Sequence, residues 1–167
     1  DSELLDEVTG LVEWPVALIG KIDTEFMVLP SKVLIASMRG HQKYFSTLNG
    51  EGKLAPKFIF ISNMEVTGGS QAIVAGNERV LRARLSDTKF FWDQDRKEIL
   101  ESYLPKLAGV VFHAKIGTML EKTERMVNLS NYLSNNFSST ELKNIERAAR
   151  LSKADLVTGM VGEIPEL

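Results

Sequence analysis

Leu81, Leu85, Thr88 and Trp92 recur at the spacing of one face of an α-helix, so the chain from Gln71 onward reads as a long helix with an inward stripe. A helix of this kind draws its stability from packing that stripe on a neighbour. The residues on either side have to supply the partner surface. Gly68 and Gly69 break the chain just ahead of it.

Before the break the pattern is mixed. Leu4, Leu5, Val8, Leu11 and Val12 sit at helical spacing behind Ser2, which reads as the N-cap of a short entering helix. Pro15 closes it. Val16–Ile22 reads as a buried strand, Asp23-Thr24 as a turn and Phe26–Leu29 as a second short strand. After Pro30, Ser31 caps a helix that turns Val33, Leu34 and Met38 inward with Gln42 on the same side, and Gly40 lies at its last turn. Tyr44–Leu48 and Lys57–Ser62 flank Asn49-Gly50-Glu51-Gly52-Lys53, the signature of a β-hairpin with a loop longer than the minimum.

Behind the long helix, three more helices are expected: Leu100–Phe112, Lys115–Asn135 and Thr140–Thr158. Pro105 opens the regular part of the first, because it has no N–H to give a helix interior. The loop from Asn135 to Ser139 separates the last two, with Ser139 or Thr140 as N-cap. The prediction is an α+β chain. A mixed sheet-and-helix domain spans 1–112 and a helical bundle segment spans 113–167.

Composition narrows the chemistry. With 167 residues, 44% hydrophobic and 25% charged, the chain has the make-up of an ordinary soluble domain. No apolar run reaches the roughly 18 residues of a membrane span, and no secretory leader is visible, so a cytoplasmic protein is expected. The absence of Cys excludes disulfides, thiolate zinc sites and a thiol nucleophile. His41 and His113 are the only histidines, too few for a good metal centre. A net charge of −2 gives no global pull toward nucleic acid, so any RNA contact has to come from a local basic surface.

Three local groups meet that requirement. Arg79, Arg82, Ser86 and Lys89 fall on one face of the long helix, at a pitch that can follow phosphates; the alternative pairs these cations with Glu78, Asp87 or Asp93. Lys143, Arg147 and Arg150 form a second stripe, with Glu141 and Glu146 in reach for intrahelical pairs. The string His41-Gln42-Lys43-Tyr44-Phe45 could stack on a base and bond to its edge. Its alternative is that His41 closes the helix end while Tyr44 and Phe45 fill the core. Nothing places a nucleophile beside a base, and Gly68-Gly69 lacks the Lys-Ser/Thr ending of a phosphate loop. No catalytic and no metal residues are expected.

Longer strings carry a resemblance. Asn77–Trp92 (NERVLRARLSDTKFFW), His41–Phe45, Leu151–Thr158 (LSKADLVT), Val12–Pro15 (VEWP), Phe58–Asn63 (FIFISN) and Gly117–Arg125 (GTMLEKTER) together resemble the beta subunit of the bacterial heterotetrameric glycyl-tRNA synthetase. They run over nearly the whole chain, which reads as an internal piece of that longer subunit.

The resemblance implies a part in ATP-dependent glycylation of tRNA(Gly), a reaction of a glycine–tRNA ligase. The alpha subunit would do the chemistry with ATP and magnesium, and the beta subunit would handle tRNA. No catalytic centre or cofactor is implied for this segment itself. The implied partners are the alpha subunit and tRNA(Gly), with neither membrane nor DNA among them. The tRNA-binding candidates are Arg79, Arg82, Lys89, His41, Lys43, Lys143, Arg147 and Arg150.

The rear helices would begin a degenerate HD-like domain, since Ala154-Asp155 stands where active members carry a His-Asp pair. Asp155 is then expected in a buried hydrogen bond or an ion pair. The alternative is a hydrolytic domain, either an HD-type phosphohydrolase or an aminoacyl-tRNA editing unit. A purely structural role, with contacts only to other domains and the alpha subunit, is the third reading.

Overall fold

A computed structural model describes residues 1–64, 69–134 and 138–167. The expected break at Gly68 and the expected loop residues 135–137 lie outside the described residues. The chain divides into two compact units, residues 1–92 with 166–167, and residues 93–165.

In the first unit, helix α1 (Ser2–Leu11) leads to strand β1 (Val16–Lys21), a 3₁₀ turn (Thr24–Val28) and helix α2 (Ser31–Gln42). Strands β2 (Phe45–Leu48) and β3 (Leu54–Ser62) follow, then the long helix α3 (Gln71–Asp95), which runs on into the second unit. The sheet is antiparallel in the order β1-β3-β2, with Ile19 opposite Ile59 and Phe45 opposite the same residue from the other side. The predicted hairpin, α2 and α3 are all present, and the mixed α+β class holds.

The core forms where the sheet meets the helices. Phe58 and Phe60 from β3 cluster with Tyr44, with Leu34 and Met38 of α2, and with Leu81 and Leu85 of α3. The Tyr44 and Phe58 rings stack at 4.6 Å between centroids. Gly20 has a specific reason to be there: a Cβ would lie 2.4 Å from Phe58 Cζ, so only glycine lets the ring settle against β1. Thr88, the polar member of the α3 stripe, is fully buried with its hydroxyl 3.3 Å from that of Ser37, which is equally buried. The Thr88 hydroxyl donates to the Arg84 carbonyl at 3.0 Å, which satisfies it inside the core.

Several local expectations need correcting. Asp1, not Ser2, caps α1, its Oδ1 accepting the Leu4 N–H at 3.1 Å. Strand β1 is not buried on both sides: it is an outer strand of the sheet, and Ile19 is 61% exposed on its free face. Phe26–Leu29 is no strand. Phe26 and Leu29 are both buried while Val28 is 72% exposed, the three-residue spacing of a 3₁₀ turn. Pro30, not Ser31, occupies the N-cap of α2.

The second unit holds a 3₁₀ segment (Leu100–Gly109), a small hairpin of β4 (Val111–His113) and β5 (Gly117–Thr118), and helices α4 (Met119–Leu133) and α5 (Ser139–Leu151). A further 3₁₀ turn (Ala154–Val157) and the short α6 (Gly159–Glu163) close it. Pro105 sits inside the first 3₁₀ segment, where an α-helix had been expected to start from it. The expected final helix over Thr140–Thr158 ends at Leu151 instead.

The N-caps explain the helix starts. Thr118 with Glu121, and Ser138 with Glu141, each form a reciprocal capping box, so Ser138 replaces the expected Ser139 or Thr140. Asp95 ties the unit together: its carboxylate accepts the Tyr103 hydroxyl at 3.1 Å, the Gly159 N–H at 3.0 Å and the Met160 N–H at 2.7 Å. That anchoring helps explain why the units divide at Trp92/Asp93, ahead of the 112/113 boundary expected from sequence.

Candidate nucleic-acid interface

Helix α3 presents Arg79 and Arg82 to solvent, with Lys89 half-buried two turns on. Arg82 is committed. Its Nε lies 2.5 Å from Asp23 Oδ2 and its Nη2 donates to Asp23 Oδ1 at 3.4 Å. This is a two-point guanidinium–carboxylate contact. The Arg82 hydrogen bond holds the Asp23 carboxyl below its ordinary value and, in return, Asp23 raises that of Arg82.

None of the partners expected from sequence takes that place. Glu78 uses its Oε1 to accept the Lys21 N–H at 2.8 Å, beside the last residue of β1. Among the described residues Arg79 enters no ion pair within 4.0 Å, which leaves it the most available cation of the stripe.

The His41–Phe45 string divides its residues between roles. His41 is exposed in the last turn of α2. Lys43 ends the helix in a left-handed conformation, φ 56°, and its Nζ reaches Glu7 Oε1 at 2.7 Å. Tyr44 is core: it stacks on Phe58 and donates its hydroxyl to Asn77 Oδ1 at 2.6 Å, so it is not free to hold a base. Phe45 is half-buried on β2, and Gln42 buries its Oε1 with no hydrogen-bond partner.

The second stripe lies on α5. Lys143 is exposed and in no ion pair among the described residues. Arg147 pairs with Glu101, and Arg150 with Glu146 at 2.8 Å. The Arg150–Glu146 pair is the intrahelical type expected. Arg150 also borders a cavity of about 350 Å³ whose wall includes Leu104, Leu120, Val127 and Glu124.

Asp155 is exposed instead of buried, and its main-chain carbonyl accepts the Thr158 hydroxyl at 2.7 Å. Among the described residues no three His, Asp or Glu gather where they could hold a metal ion. His113 is exposed on β4, its Nδ1 accepting the Lys115 N–H at 3.2 Å. No helix among the described residues is long and apolar enough to cross a membrane.

Sequence reasoning missed Asp23, Glu7 and Asp95. Asp23 and Arg82 stand 59 positions apart, and Asp95 and Met160 stand 65 apart, so no local pattern announces either contact. By contrast, the Thr118-x-x-Glu121 and Ser138-x-x-Glu141 capping boxes are written in the sequence in a legible form.

Fold and surface together define a class: an α+β chain with one long helix, and with basic helix faces several of whose cations are held by carboxylates. The chain belongs to the glycyl-tRNA synthetase beta subunit family, whose profile it matches over residues 1–167. A glycine–tRNA ligase beta subunit from Rhodospirillum centenum is 53% identical over 169 residues, an alignment covering all of this chain and 24% of that relative. Its counterparts from a Geobacter species and from Neisseria meningitidis are 52% and 51% identical over 167 residues, again across all of this chain and 24% of theirs. The chain thus spans about a quarter of the length of the curated relatives it matches, 24% in each of these. The family expected from the sequence strings is the family found.

Proposed function

We propose that this chain is a tRNA-handling and scaffolding segment of a glycine–tRNA ligase beta subunit. In this reading the complete heterotetramer glycylates tRNA(Gly) in the cytoplasm, and ATP and magnesium act on the alpha subunit. The single observation that carries it is identity of 53% to a glycine–tRNA ligase beta subunit along the entire chain.

Within the segment, Arg79, Lys143 and His41 are the cations or potential cations that meet phosphates first, because each is exposed and outside the ion pairs described. Arg82, Lys43, Arg147 and Arg150 contribute only by exchanging a carboxylate for a phosphate. Such exchange is inexpensive, since exposed ion pairs are worth about 0–1 kcal/mol. Lys89 supports the α3 face from its half-buried position.

The test is a salt-dependent titration of the chain with tRNA(Gly) and with an unrelated tRNA, repeated for Arg79→Glu/Lys143→Glu. Those substitutions break no ion pair among the described residues, so folding is expected to survive. Affinity that falls with salt and drops in the double variant supports phosphate tracking. Unchanged affinity in the variant sinks the assignment of these residues. Absence of any binding at low salt leaves scaffolding as the segment's role.

A further inference from the structure

The sheet of the first unit has two faces, and the core uses one of them. Phe58 and Phe60 turn into the core, and Gly20 faces the Phe58 ring. Alternation along the strands therefore places Ala17 and Ile19 of β1, Ile59 and Ile61 of β3 and Phe45 of β2 on the other side, with Ile59 paired to Ile19 on one flank and to Phe45 on the other. Ala17 and Ile19 are exposed, and the other three are half-buried. Contiguous apolar surface left open in this way marks an interaction site.

Two lysines stand at one end of this face, Lys21 of β1 directly opposite Lys57 of β3. The Lys21 N–H donates to Glu78 Oε1 at 2.8 Å, away from β3, while the Ile22 N–H donates to the Pro56 carbonyl at 3.0 Å. Lys21 and Lys57 thus share no backbone hydrogen bonds, the pairing in which side chains come closest, and like charges set directly opposite destabilise a sheet. Both residues are exposed, and neither enters an ion pair among the described residues. A lysine on an outer strand deters edge-to-edge pairing. That reason does not reach Lys57, because β3 is the central strand.

The dimensions and charge of the face select its occupant. The outer strands of a three-stranded sheet stand about 10 Å apart, the diameter of one α-helix, and the six residues of β1 run about 20 Å. That footprint is about 200 Å², well short of the roughly 800 Å² per partner in a stable complex of separate proteins. A helix on the same polypeptide needs no such area, since tethering gives it a millimolar effective concentration. The alignment with the Rhodospirillum centenum relative covers 24% of that polypeptide, so about three quarters of it lies outside. A second copy pairing the same faces would gather more lysines with no carboxylate to meet them, as no strand residue on the face is acidic. RNA-binding sheets stack bases on aromatic rings, whereas these strands bring one ring, Phe45, to a face centred on isoleucine.

We propose that this face receives an acidic amphipathic helix from the remainder of the same subunit, its apolar stripe on Ile19, Ile59 and Phe45 and its carboxylates on Lys21 and Lys57. The source of the helix rests on the reading of the chain as a segment of a longer beta subunit.

The chain has no cysteine, so Ile19→Cys places one thiol on the face. Its alkylation rate is followed by peptide mass spectrometry in the chain alone, in a complete beta subunit carrying it, and in that subunit with the alpha subunit or tRNA(Gly) added. Labelling in the complete subunit is expected to be roughly tenfold or more slower than in the chain alone. A thiol-anchored photo-cross-linker should attach to a peptide outside the 167 residues that carries Asp or Glu beside an apolar helical stripe. Lys21→Glu/Lys57→Glu should speed labelling of the complete subunit by roughly tenfold through like-charge repulsion, and leave the rate of the chain alone unchanged. Ala17→Cys repeats the measurement should Ile19→Cys fold poorly.

Equal labelling of the chain and the complete subunit overturns the proposal. So does protection that requires the alpha subunit or tRNA(Gly), protection of the chain alone that rises with its own concentration, a cross-link to a basic or non-helical peptide, or a rate unmoved by the double lysine variant. The segment reading has its own readout, glycylation of tRNA(Gly) by the complete subunit with the alpha subunit. Glycylation with an unprotected thiol discards the docked helix and keeps the segment reading; protection without glycylation does the reverse.

Discussion

Arg82 on α3 and Asp23, at the start of the 3₁₀ turn that follows β1, hold each other at two points, Nε to Oδ2 at 2.5 Å and Nη2 to Oδ1 at 3.4 Å. The contact spends the central cation of the α3 stripe on a carboxylate of the same unit. It couples the long helix to the turn that follows the first strand.

A pH dependence follows from this pair. Asp23 is held below its ordinary value of 3.8 by the Arg82 hydrogen bond, so the pair stabilises the fold above that value and its contribution is lost as pH falls through the lower, folded value. The stability difference between the native chain and Asp23→Asn should be constant from neutral pH to about pH 4 and should shrink below it. Urea melts across that range measure it. A difference that grows on acidification contradicts the pairing. Asp23→Asn also releases Arg82, so it should tighten salt-dependent tRNA binding if the α3 face tracks phosphates.

Gly20→Ala should destabilise the first unit by about 1–3 kcal/mol, the usual cost of overpacking a filled core. Its Cβ would stand 2.4 Å from the Cζ of a Phe58 that is 0% exposed. Adding Phe58→Leu should recover part of the loss, because the shorter side chain vacates the contested space. If the double variant is as unstable as the sum of the single ones, the clash is not the cause.

Asp95→Ala should cost about 2 kcal/mol or more, since it strands two backbone N–H groups and a tyrosine hydroxyl at once. Hydrogen exchange offers the local readout. The Gly159 and Met160 amides should lose protection before the α4 amides do. Uniform loss of protection through the second unit would instead make Asp95 part of its global stability.

Much of the first unit was legible because its signals are local. The Leu81–Leu85–Thr88–Trp92 stripe, the turn residues Asn49-Gly50 and the inward Val33–Leu34–Met38 face each express a period or a turn preference that needs no distant partner. Phe26–Leu29 was misread because a short apolar run is compatible with either a strand or a turn of helix. Only packing of Phe26 and Leu29 into the core, with Val28 left outside, decides between them.

The basic residues were equally legible as types and positions, but their state was not. Whether Arg82 or Arg147 is free depends on Asp23 and Glu101, residues that no spacing rule associates with them. The sequence by itself therefore determined the family, the α+β class, the long central helix and the inventory of cations. Tertiary structure alone decided which cations are already neutralised, where the second unit begins, and that Gln42 keeps an unpaired oxygen beside a cavity. The physical reason is range: helical periodicity and turn chemistry act over a few residues, whereas ion pairing and burial are settled between groups brought together only by folding.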